Sequence, residues 1–87
     1  RLVVLWHAAA NIKCARLLSE LARGFPTEIT LHASGKWVDI RRQHTLAAFL
    51  THRHLRGFEV EFRFQGEARE EAMAAVDELL RTHEAFQ

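Results

Sequence analysis

The chain is poor in several residue types, and each shortage narrows what it can be. It has one cysteine, Cys14, one proline, Pro26, no tyrosine and four glycines among 87 residues. A lone cysteine excludes an internal disulfide and favours a reducing, cytoplasmic setting. No apolar run approaches the roughly 20 residues of a membrane-spanning helix, and no signal peptide stands out, so no membrane association is expected. With His neutral the net charge is +1, too small for a global field that demands an acidic partner. Internal repeats, low-complexity tracts and linkers are missing. So are paired carboxylates, a nucleophile beside a base, and a phosphate loop. The expectation is a non-enzyme without cofactor or metal.

What is there is a folded core. Hydrophobic residues make up 48% of the chain, which suits a globular protein, and the length suits one domain over residues 1–87. The organising stretch is Gly24–Ile40. Gly24 offers a left-handed helix stop, and Pro26 keeps the helix from resuming. Glu28, Ile29, Thr30, Leu31 and His32 then alternate as a half-buried strand, with Ile29 and Leu31 inward. Ser34-Gly35 is a turn pair, and Trp37 to Arg41 alternate again, completing a β-hairpin.

The rest falls into place around it. Leu2–Trp6 reads as a buried first strand. Asn11 reads as N-cap of a helix from Ile12 to Arg23, with Ile12, Ala15, Leu18 and Ala22 on its apolar stripe, and Lys13, Arg16, Ser19, Glu20 and Arg23 left to solvent. Thr45 caps a short helix that buries Leu46, Ala47, Phe49 and Leu50. Phe58, Val60, Phe62 and Phe64 alternate with Glu59, Glu61, Arg63 and Gln65 in the clearest strand of the chain. A last helix runs from Glu67 to His83, with Ala68, Ala72, Val76, Leu79 and His83 on one stripe. The order is β-α-β-β-α-β-α. The expected architecture is α+β, a two-layer open-faced β-sandwich: a four-stranded antiparallel sheet, three helices on one face, and the charged face wet.

This order resembles the histidine-containing phosphocarrier protein HPr of the bacterial sugar phosphotransferase system. The resemblance covers almost the whole chain. It is carried by Gly24-Phe25 with Glu28-Ile29-Thr30, by the turn Ser34-Gly35-Lys36, and by Gly57 to Gly66 leading into Ala72. These are structural fingerprints, not chemical motifs. The resemblance implies an active histidine at the N-terminus of the first helix, in a Gly-Leu-His-x-Arg-Pro-Ala pattern. There, free N–H groups and the helix dipole hold phosphoryl oxygens and imidazole is the nucleophile. Aligned without gaps, Asn11 falls on that histidine, Lys13 on the arginine and Cys14 on the proline. A carboxamide forms no phosphohistidine, so the fold would be kept and the chemistry lost. A rival alignment places His7-Ala8-Ala9-Ala10 on the motif and makes His7 the phosphoryl acceptor, at the cost of a gap and of turning Leu2–Trp6 into a loop. The family's regulatory serine, which begins the second helix, falls on Arg42 or Thr45.

The resemblance also implies a partner-docking surface at the first helix start and the second helix: here Arg41, Arg42, Thr45, Phe49 and Arg53. The partner would be a protein, of the phosphotransferase system or a regulator. A different reading takes Arg41, Arg42, Arg53 and Arg56 as a nucleic-acid surface, but no interleaved aromatics or nucleic-acid motif support it. His44, His52 and His54 lack the spacing of a zinc site. Trp37 should face the open side of the sheet. Cys14 is either a small core residue or a thiol activated by the helix dipole.

Overall fold

The computed structural model describes residues 1–9 and 11–87. Its elements are β1 (Leu2–Leu5), α1 (Asn11–Arg23), β2 (Glu28–Ala33), β3 (Lys36–Asp39), α2 (Gln43–Thr51), β4 (Glu59–Gln65) and α3 (Arg69–Thr82), followed by a 3-10 turn at Glu84–Phe86. The strands form one antiparallel sheet in the order β1-β4-β2-β3. The three helices cover one face of this sheet and leave the other open. This is the expected α+β architecture.

Period-two alternation sets the sheet's two faces. On the inner face Phe62 of β4 stands between Leu2 of β1 and Leu31 of β2, and Leu31 in turn faces Val38 of β3. Ile29, Leu31, Val60 and Phe62 are fully buried against Leu18, Leu46, Leu50 and Val76 of the helices. Each such side chain contributes about 1.5–3 kcal/mol by leaving water. The hairpin turn has φ of 53° at Ser34 and 75° at Gly35, the primed geometry whose twist matches the flanking strands.

Several local expectations need correction. β1 is not buried on both sides. It is an edge strand with helices over one face only, so Val3 and Leu5 project from the open face, 46% and 50% exposed. Ile12 is off the apolar stripe and 73% exposed. It lies about 120° round the helix from Leu18, and the buried stripe is Cys14, Ala15, Leu18, Ser19 and Ala22. Ser19, expected in solvent, is buried and donates its hydroxyl to the Ile40 carbonyl at 2.5 Å. Gly24 does not adopt a left-handed conformation. Left-handed φ among glycines belongs to Gly35, Gly57 and Gly66, and α1 ends by tightening, with Gly24 N–H on Leu21 O and Phe25 N–H on Ala22 O.

α2 starts at Gln43, and its N-cap, Arg42, makes no side-chain capping bond. Thr45 therefore sits inside the first turn and caps nothing. Phe58 precedes β4, held in a turn by its N–H on Leu55 O, and stays exposed. Glu67 lies before α3, where its carbonyl accepts the hydroxyl of buried Thr27 at 2.6 Å. Ala68 is the left-handed N-cap of α3. His83 lies just past the helix and accepts the N–H of Ala85 through Nδ1 at 3.0 Å, capping the 3-10 turn. That turn was not foreseen. It brings Phe86 edge-on to Trp6, ring centroids 5.9 Å apart, and buries both.

Candidate functional site

α1 and α2 run antiparallel. The first residue of α1 meets the last turn of α2, and the last residue of α1 meets the start of α2. The basic segment from Arg41 to Arg56, continuous in sequence, is thereby split between two ends of the pair.

At the first end Asn11 opens α1. Its Nδ2 donates to the Leu50 carbonyl of α2 at 3.1 Å, so the side chain crosses between helices. This is a different role from the expected N-cap, in which its oxygen would accept from the first turn. His7 is exposed in the connection after β1 and does not open the helix, and its carbonyl accepts from Arg56 Nε at 3.2 Å. Of the rival motif, Ala10 lies outside the described residues. Lys13 is exposed. Cys14 is fully buried, with Sγ on the Ala85 carbonyl at 3.3 Å. Burial pushes its thiol up to about 11, outweighing the backbone hydrogen bond and Lys13 that favour the thiolate. The activated-thiol reading of Cys14 is thereby overturned.

Around Asn11 lies a cavity of about 250 Å³, lined among others by Trp6, Arg53, His54 and Arg56. The Arg53 guanidinium sits 4.1 Å from the centre of the Phe49 ring, a cation–π contact. Phe49 and Arg53 also line a shallower hollow of about 240 Å³ with Trp37, Thr45 and His52. Trp37 faces the open side of the sheet as expected and stacks on His32, its cross-strand partner.

At the other end Arg23, Arg41, Arg42, Gln43, His44 and Thr45 line a cavity of about 400 Å³. A terminal guanidinium nitrogen of Arg41 donates to the Phe25 carbonyl. Its Nε is buried without a partner.

The five residues expected to form one docking surface thus divide. Arg41 and Arg42 are at one end, Phe49 and Arg53 toward the other, and Thr45 lines a hollow of each group. Of the arginines in the nucleic-acid reading, Arg41 and Arg42 precede α2 while Arg53 and Arg56 follow it. Among the described residues no group of three His, Cys, Asp or Glu is placed to hold a metal ion, and no helix is long and apolar enough to cross a membrane. Sequence reasoning missed Arg23, because it belongs to another helix, and exposed Ile12, because its spacing mimics a core position.

No family model matches the chain, and no curated protein matches it in sequence. Solved structures do. An HPr described as HPr-C-His, from Thermoanaerobacter tengcongensis, superposes with a TM-score of 0.77 at 19% identity, over 93% of this chain and 90% of that one. A histidine-containing phosphocarrier protein from Mycoplasma superposes with a TM-score of 0.80 at 18% identity, over 98% and 94%. The chain has the phosphocarrier fold of HPr.

Proposed function

We propose that this chain is a single HPr-like domain, residues 1–87, that binds a protein partner and carries no phosphoryl group at the start of α1. The observation that carries this reading is Asn11. It opens α1, the position where the HPr resemblance implies the phosphorylated histidine, and its amide is committed to Leu50 O. A carboxamide offers no nucleophilic nitrogen for phosphoryl transfer. The neighbouring polar groups are also engaged: Arg56 with the His7 backbone, Arg53 with the Phe49 ring. What remains for a partner is a surface of exposed Ile12 and Lys13 on α1 with exposed Ala48 on α2 and exposed His52 just past its end. An apolar centre with a basic rim suits an acidic protein, in or derived from the phosphotransferase system. The domain is no enzyme on this reading, and its setting is cytoplasmic.

The test is intact mass after incubation with phosphoenolpyruvate and a bacterial enzyme I, with an ordinary HPr in the same tube. The expected result is an adduct on the HPr and none on this chain. An acid-labile adduct lost in His7→Ala would sink the proposal and make the chain a divergent carrier that uses His7.

A further inference from the structure

The Arg23 end of the α1–α2 pair is electrostatically unfinished. Arg23 comes from the last turn of α1, Arg41 and Arg42 from the link between β3 and α2, and His44 from the first turn of α2. All four line one cavity. Guanidinium groups stay charged at every relevant pH, and three of them lining one hollow raise a local positive potential that favours an anion. No carboxylate lines the cavity among the described residues. Among the described residues the arginines that form ion pairs are Arg1, Arg16, Arg63 and Arg81. Asp39 is the nearest acid in sequence, and its Oδ1 accepts the backbone N–H of Arg41 at 3.0 Å.

Two further observations point the same way. Arg41 Nε is buried and has no hydrogen-bond partner, an arrangement rare enough in folded proteins to need a reason. The N-terminus of α2 opens at the same cavity with no side-chain cap and no acidic residue in its first turn. The N–H groups of that turn and the exposed Thr45 hydroxyl are therefore free to donate.

From this cluster we infer that the cavity binds a phosphate oxyanion, carried by a small phosphate monoester. Planar guanidinium forks suit phosphate oxygens, and the volume of about 400 Å³ leaves room for an organic group beside the phosphate. The arginines of the site lie at the end of both helices opposite Asn11. Thr45 also borders the hollow of Ala48 and His52, so phosphate binding is read at Arg23 and Arg42, which the docking proposal does not use.

The experiment is an NMR titration of the ¹⁵N-labelled chain with O-phosphoserine and, separately, with inorganic phosphate, sodium chloride holding ionic strength constant. Saturable shifts are expected at the amides of Gln43, His44 and Thr45 and at Arg41 Nε. Arg42→Gln and Arg23→Gln, both at exposed positions, should each weaken binding about tenfold, with Arg81→Gln unchanged. The probe that saturates at lower concentration identifies the source, ester or free phosphate. Shifts that never saturate, that sodium chloride alone reproduces, that centre on His54, or that survive both arginine variants overturn the assignment.

Discussion

At the Asn11 end of the α1–α2 pair the polar side chains are spent on backbone. Asn11 donates to Leu50 O, Arg56 to His7 O and Cys14 to Ala85 O, while Trp6 and Phe86 close over the junction. At the Arg23 end three arginines and a histidine surround a cavity, with one guanidinium nitrogen left unpaired. The first end is where the HPr resemblance implies the phosphoryl chemistry. In this chain that end is tied down and the other is left open. One helix pair can therefore hold its polar groups fast at one end and leave them open at the other.

If the first end is held by packing, breaking the packing should have the largest effect. Trp6→Ala removes a buried indole whose edge-to-face partner is Phe86. It should cost about 3–5 kcal/mol in urea unfolding and release the 3-10 turn, exposing Cys14 to thiol reagents. A loss under about 1 kcal/mol would show that the C-terminal turn is not part of the core.

Cys14 gives a second handle on the same end. Its thiol ordinarily titrates at 9.0 and is raised to about 11 by burial. Above pH 9 the unfolded chain loses this proton first, so the folded state binds more protons and stability falls as pH rises. The contribution is fully present below pH 9 and disappears as pH passes 11. It amounts to about 2–3 kcal/mol over that window. The measurement is the pH dependence of unfolding free energy in the wild type against Cys14→Ala. Identical slopes between pH 9 and 11 would mean that the thiol is not desolvated.

A matched pair of carbonyl bonds compares the ends directly. Ser19→Ala leaves the Ile40 carbonyl without its partner in a fully buried site and should cost about 1–3 kcal/mol. Asn11→Ala frees the Leu50 carbonyl in a partly buried site that water can reach, and should cost about 1 kcal/mol. If chemical denaturation ranks Asn11→Ala above Ser19→Ala, the helix-crossing amide is a stronger fastener than its exposure allows.

How far these ends could be read in the sequence follows from how each is built. The sheet was legible because alternation in Glu28–His32 and Glu59–Gln65 is a local, period-two signal that fixes both faces at once. The hairpin turn was legible because Ser34-Gly35 suits positive φ. Ile12 and Ser19 were misassigned because helical spacing gives a stripe's width but not its phase, which Ile40 and the neighbouring helix decide. β1 was misjudged because an edge strand of Leu and Val reads like a central one. Asn11 was found at the start of α1, yet its bond to Leu50 spans 39 residues and leaves no local trace. The basic segment from Arg41 to Arg56 looked like one surface because nine residues of α2 are short in sequence. In space they separate the two groups by about 14 Å.

The smallest expected effect discriminates most sharply between the ends. Thr45 is exposed in the first turn of α2, where no acidic residue opposes the helix dipole and the N-cap makes no side-chain bond. Thr45→Glu supplies a carboxylate to that turn and to the arginine cavity together. It should stabilise the fold by about 0.5 kcal/mol at low salt, a gain that shrinks as added salt screens it. The same carboxylate should occupy the site proposed for phosphate, so the variant should gain stability while losing saturable binding of O-phosphoserine. Without an anion site the helix dipole alone would still supply the gain in stability, but there would be no saturable binding to lose, and a merely disruptive substitution would lose both stability and binding. The loss of binding beside an intact or improved fold is therefore the reading that tests the cavity.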